Sequence, residues 1–210
     1  MKTELFLTIF GALFSVVNPM GAMPMFAMLT HQHTVAERRK MAFKISFYVV
    51  CILLVFFFSG NYILNFFGIQ LEHMRIAGGL MISISAMSLL GNDAYKGKSI
   101  SKAVQEESMT KEDITFTPMA MPLLSGPGAI ALIIGMYGLV QEAGWWGYVS
   151  MVLSVILVAA IACVVLIFAN RLNKFLGKSG MSALSRMMGF IVLSIGISMI
   201  LNGLIPLFKS

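Results

Sequence analysis

The apolar residues of this chain fall in long runs and do not alternate with polar ones. Six runs predict helical spans: Leu5–Thr30, Met41–Phe67, Met74–Leu90, Phe116–Val140, Trp145–Ala169 and Arg186–Phe208. Crossing a hydrocarbon core about 30 Å thick takes roughly 20 helical residues, and these runs are of that order. A transmembrane β-barrel does not fit, because its strands alternate and are only about ten residues long. The first run lacks a small-residue cleavage site after a short apolar core, so it predicts a retained helix and not a signal peptide. Thr34-Val35-Ala36-Glu37 has capping-box spacing and predicts the start of the second helix. Gly91–Thr115 is the longest polar stretch, with four lysines and five acids, and predicts an exposed linker.

The two halves of the chain resemble each other. Arg75, Gly78, Ser83, Ile84 and Leu90 recur as Arg186, Gly189, Ser194, Ile195 and Leu201, all at an offset of 111. Upstream, Asn61–Gly68 matches Asn170–Gly177 at an offset of 109, and Ala12 and Pro19 match Ala120 and Pro127 at 108. The expected fold is therefore all-α: six transmembrane helices as two three-helix repeats, residues 1–92 and 116–210, joined by a polar cytoplasmic linker over 93–115. Three is an odd number, so the second copy enters the bilayer from the opposite side. Such inverted repeats are a transporter architecture, with the substrate site near the bilayer midplane.

Composition agrees with this picture. Hydrophobic residues make up 58% of the chain and charged residues 11%, against about 25% charged in a soluble domain. The net charge of +6 is a topology signal and not a nucleic-acid signal, because of where the basic residues stand. Twelve lysines and arginines, from Arg38 to Arg186, fall on one face, against Lys2, Arg75 and Lys209 on the other. The positive-inside rule then puts the three basic loops in the cytoplasm and both termini outside. Trp145, Trp146 and Tyr148 sit where an outer aromatic belt is expected. Arg75 and Arg186 begin spans and read as helix-end anchors whose charges reach the headgroups. Cys51 and Cys163 read as small buried hydrophobes.

Two spans carry interruptions. The first holds Asn18-Pro-Met-Gly-Ala-Met-Pro24, and the fourth holds Pro118-Met-Ala-Met-Pro-Leu-Leu-Ser-Gly-Pro-Gly128. Proline lacks an amide hydrogen and clashes with the carbonyl four residues back, so both helices are expected to kink or unwind. Asn18-Pro19 reads as an N-cap followed by proline at the first helical position, and Ser125-Gly126-Pro127 can do the same. Each would start a half-helix whose free N–H groups and positive dipole end face the membrane interior. Either break alone is as well explained by an ordinary proline kink, but paired breaks in two repeats favour a binding site. The candidate substrate-binding residues are Asn18, Pro19, Gly21, Ser125, Gly126, Pro127 and Gly128. Their chemistry suits a small anionic group such as an amino-acid carboxylate, with the glycines allowing close backbone approach. All nine acids lie at helix ends or in loops, so the usual carboxylate of a proton relay is missing. No metal-ligand cluster and no paired nucleophile and base stand in any span, so neither a metal, a cofactor nor an enzymatic activity is expected.

The chain resembles the MarC family of bacterial inner-membrane proteins along nearly its whole length. The resemblance rests on Asn18-Pro-Met-Gly-Ala-Met-Pro24-Met-Phe26, Ile76-Ala-Gly-Gly79, Pro122-Leu-Leu-Ser-Gly-Pro-Gly128, Arg186-Met-Met-Gly189 and the Asn202-Gly203 ending. It implies a six-helix fold related to LysE-type amino-acid exporters, and members have been described as carriers of small neutral amino acids. The leading expectation is a secondary carrier for such a substrate in the bacterial inner membrane. The alternatives are an exporter of amphipathic compounds or drugs, and a non-transporting membrane protein. The expected partners are the lipid bilayer and a small neutral amino acid, with the coupling ion and assembly as a homo-oligomer left open.

Overall fold

The computed structural model describes residues 2–91 and 114–209. The linker expected over 93–115 lies outside the described residues except for Ile114 and Thr115. The described elements are α1 (Lys2–Val17), α2 (Pro19–Leu29), α3 (Val35–Phe66), α4 (Leu71–Leu90), α5 (Thr115–Leu124), α6 (Pro127–Gly135), α7 (Tyr137–Glu142), α8 (Trp145–Ile167) and α9 (Ala169–Lys209). Among the described residues, five stretches are long and apolar enough to cross a bilayer: Lys2–Leu29, Val35–Phe66, Leu71–Leu90, Trp145–Ile167 and Ser179–Phe208. A sixth is Thr115–Leu124 with Pro127–Glu142, if this pair, bent by 53°, counts as one span.

Helix α3 starts six residues before its apolar run, and its cap explains why. The Thr34 hydroxyl accepts the Glu37 N–H at 3.3 Å, and the Glu37 carboxylate accepts the Thr34 N–H at 2.7 Å. This is the capping box read from the sequence. Arg38 then closes the α2–α3 turn by donating to the carbonyls of Thr30 and His31 at 2.9 and 3.0 Å. The buried residues of α3, among them Ala42, Ile45, Val49, Leu53, Phe57, Gly60 and Leu64, form one stripe. Their spacing of three or four is that of a single helix face. The stripe packs on α8 and on α5–α6, while Phe43, Phe47, Val55 and Phe58 are exposed on other sides. In a bilayer those rings face acyl chains.

The longest contact is between α4 and α9, and glycine makes it close. Gly189, Gly196 and Gly203 recur every seven residues on α9. A Cβ on Gly196 would meet Ser83 Oγ and would lie 2.8 Å from the Gly79 carbonyl oxygen. A Cβ on Gly79 would lie 2.6 Å from the Gly196 carbonyl oxygen. The two backbones therefore touch, the small-residue packing that membrane helices use where no water drives them together. Helix α9 holds a feature that hydropathy does not reveal. Gly177 has φ 61° and ψ −176° and divides the element, so the apolar helix runs from Ser179 and not from Arg186.

Candidate functional site

Two local irregularities face one cavity. Asn18 separates α1 from α2 with φ 46° and ψ 68°, a left-handed conformation that asparagine tolerates better than most residues. Its side-chain oxygen accepts the Gly21 N–H at 3.1 Å, so it caps α2, and Pro19 follows at the first helical position. The oxygen and nitrogen of the amide are told apart by that bond. Asn18 is 2% exposed, and its Nδ2 has no hydrogen-bond partner. A buried donor left unpaired costs about 1–3 kcal/mol.

The second irregularity is α5. Thr117 (φ −118°, ψ 124°) and Met121 (φ −133°, ψ 126°) are extended, because each precedes a proline that disfavours helical backbone before it. The chain closes wide turns instead, with Met119 N–H to Ile114 at 3.4 Å and Ser125 N–H to Ala120 at 2.8 Å. Ser125 does not cap α6. Gly126 occupies the cap position without a side-chain bond, and Pro127 begins the helix. The carbonyl of Gly126 accepts from Ala129 and Ile130 at 2.9 and 3.1 Å, and the Gly128 N–H, in the first turn of α6, has no acceptor within the helix.

Both breaks border a cavity of about 360 Å³. Of the residues expected to bind, Asn18, Gly126, Pro127 and Gly128 line it. Pro19, Gly21 and Ser125 do not. Gly21 serves the Asn18 side chain, since a Cβ there would lie 2.6 Å from Nδ2. Gly126 faces the Pro122 carbonyl oxygen, and Gly128 faces Ile82, whose Cγ1 would be 2.9 Å from an added Cβ. These glycines serve chain-to-chain packing. Ser125 is fully buried with an unpaired hydroxyl.

The far wall comes from α4, which sequence reasoning did not assign to the site. Ser85 and Ser88 line it with Ile82 and Leu89. Ser85 donates to Met81 O at 2.9 Å, and Ser88 donates to Ser85 O at 2.7 Å. Their hydroxyl hydrogens are thereby used, and only oxygen lone pairs remain to face a ligand. The available signal was Ser83, Ser85 and Ser88 in the otherwise apolar stretch from Ile76 to Leu90. Among the described residues, none that lines the cavity is charged.

These features define a polytopic α-helical integral membrane protein with a small cavity between its helices. The chain matches the MarC family of integral membrane proteins over residues 3–208 and belongs to that family. It is 32% identical over 207 residues to a membrane protein of Methanocaldococcus jannaschii, covering 97% of this chain and 98% of the relative. It is 31% identical over 207 residues to the inner membrane protein MarC of Salmonella typhimurium, covering 94% and 93%. A membrane protein of Buchnera aphidicola is 32% identical over 207 residues, covering 99% and 95%. No solved structure matches the chain.

Proposed function

We propose that this protein is a secondary carrier of small neutral amino acids in the bacterial inner membrane, with its substrate site in the cavity between Asn18 and Gly128. The observation that carries this reading is that Asn18, whose Nδ2 is buried and unpaired, lines the same cavity as the uncapped start of α6. Two N–H donors and a positive dipole end suit a carboxylate. The serine oxygens of α4 suit an ammonium, and the apolar walls suit a short side chain. The described lining holds no charged group, which favours a ligand with no net charge, because an unbalanced charge is costly to bury. The volume lies near the lower end of small-molecule pockets, about 300–1,000 Å³, which favours a small amino acid over a bulky amphipathic drug.

The repeat reading supports alternating access. We take 1–92 and 116–210 as inverted repeats joined by 93–115, with the interruptions at Asn18 and at Thr117–Gly126 as their broken helices. Packing fits a two-fold relation. Helix α3 contacts α8 and α4 contacts α9, while α2 against α8 has its counterpart in α6 against α3, and α1 against α8 in α5 against α3. External termini follow from the basic bias, and the Lys2 ammonium lies 4.2 Å above the Trp146 ring, which sets the start of α1 beside the aromatic end of α8. A reporter inserted after Ser179 is expected to read cytoplasm, and one fused after the C-terminus to read exterior; a cytoplasmic C-terminus would refute this orientation.

The transport reading is tested by uptake of radiolabelled glycine, alanine and serine into proteoliposomes, with Na⁺ and H⁺ gradients imposed separately. Saturable uptake of at least one is expected. Uptake no greater than in protein-free vesicles under every gradient would overturn it.

A further inference from the structure

A second cavity, of about 440 Å³, lies along the same helices as the first. On α4 it reaches Arg75, where the first reaches residues 81–89; on α6 it reaches Leu132 and Gly135, where the first reaches 127–129. On α1 and α9 the division is the same, Thr8 and Ala12 against Val16, and Ile195 to Asn202 against Val192. The two cavities thus occupy opposite ends of one helix group. Between them α4 meets α6 at Gly78, where an added Cβ would strike that of Ala131.

Arg75 departs from the helix-end anchor that its position suggests. It is half-buried, and its Nε donates to the Gly135 carbonyl at 3.0 Å, one of the last-turn carbonyls of α6 that lack a helical partner. Two glycines make room for the guanidinium. A Cβ at Gly135 would be 3.4 Å from Arg75 Cγ, and one at Gly138 would be 3.4 Å from Nη2. Among the described residues no carboxylate pairs with Arg75, and neither Nη group has an acceptor. Arg186, its counterpart in the second half, is exposed and makes no such bond among the described residues.

A guanidinium fixed through Nε presents its remaining N–H groups as a planar fork, which matches an oxyanion and is poorly served by partial burial alone. Polar groups stand beside it. Asn202 Nδ2 donates to Ser198 Oγ at 3.5 Å, which leaves the Ser198 hydroxyl hydrogen free to donate. Leu139 and Met199 supply apolar wall. We propose that the Arg75 cavity is a second oxyanion site, which takes the carboxylate of a small amphipathic acid at the end of the helix group opposite the Asn18 cavity. It stands on its own geometry and does not require the Asn18 site to bind. The same chemistry could be met by a lipid phosphate, and the test separates the two.

The measurement is the thermal shift of the purified full chain carrying Asn18→Gly, which removes the amide of the first cavity. Sodium acetate, alanine and alaninamide are compared at constant ionic strength in detergent, and phosphatidylglycerol is compared with phosphatidylcholine in nanodiscs. Acetate or alanine is expected to raise Tm saturably and alaninamide is not. Adding Arg75→Gln is expected to raise the half-saturating concentration about tenfold or more. Ser198→Leu, which fills the cavity and leaves the Arg75–Gly135 bond in place, is expected to do the same, and it decides alone if Arg75→Gln does not fold. A Tm that responds to phosphatidylglycerol and to no carboxylate would overturn the proposal in favour of a headgroup site. A carboxylate shift that survives Ser198→Leu unchanged would overturn it as well.

Discussion

Asn18→Gly protein is expected to insert at close to normal abundance and to lose transport by about tenfold or more. The two effects separate because Asn18 does two things. Its oxygen caps α2 at Gly21, and replacing such a cap by glycine costs only a few tenths of a kcal/mol. Its Nδ2 is the buried donor with no protein partner, and a hydrogen bond to a charged group is worth about 1.5–3 kcal/mol. Glycine also keeps the left-handed backbone at φ 46°, whereas Asn18→Leu would add a conformational cost of about 1–2 kcal/mol and blur folding with binding. Quantitative immunoblots set against initial uptake rates read the difference. Abundance and transport falling in parallel would mark Asn18 as a cap alone.

Gly196→Val is expected to do the reverse and remove folded protein. The new side chain would press into Ser83 Oγ and the Gly79 carbonyl, and backbone cannot yield as a flexible side chain does. Overpacking typically costs about 1–3 kcal/mol, and here the obstacle lies in the middle of the longest helix contact. Gly11→Ala is the control, because nothing lies within 4 Å of a Cβ at that position. Fluorescence size-exclusion profiles in detergent should show a lost or heterogeneous Gly196→Val peak beside an unchanged Gly11→Ala peak. A normal Gly196→Val profile would mean that α4 and α9 do not touch as described.

Much of the fold was legible because bilayer length, capping and proline act locally. Apolar runs marked five spans and the bent pair Thr115–Leu124 with Pro127–Glu142, Thr34 and Glu37 marked the start of α3, and Pro118 and Pro122 accounted for the extended Thr117 and Met121. The candidate site was legible only in part. Asn18, Gly126, Pro127 and Gly128 line the cavity, but Ser85 and Ser88 enter through the packing of α4 against α6, which no local pattern encodes. Gly126 took the cap position expected of Ser125 because the wide α5 turns end on the Ser125 N–H. Arg75 was misread for the same reason. Its partner, Gly135, is 60 residues away in sequence, and hydropathy sees only a charge near a helix end.

The most direct test of the central claim asks whether a zwitterion occupies this cavity. Ser85→Cys, with Cys51→Ser and Cys163→Ala removing the native thiols, places one reactive group on the cavity wall. Its rate of alkylation by a small maleimide should fall saturably with alanine and stay constant with alaninamide, and adding Asn18→Gly should abolish the protection. A rate that is the same with and without saturating alanine would contradict the account.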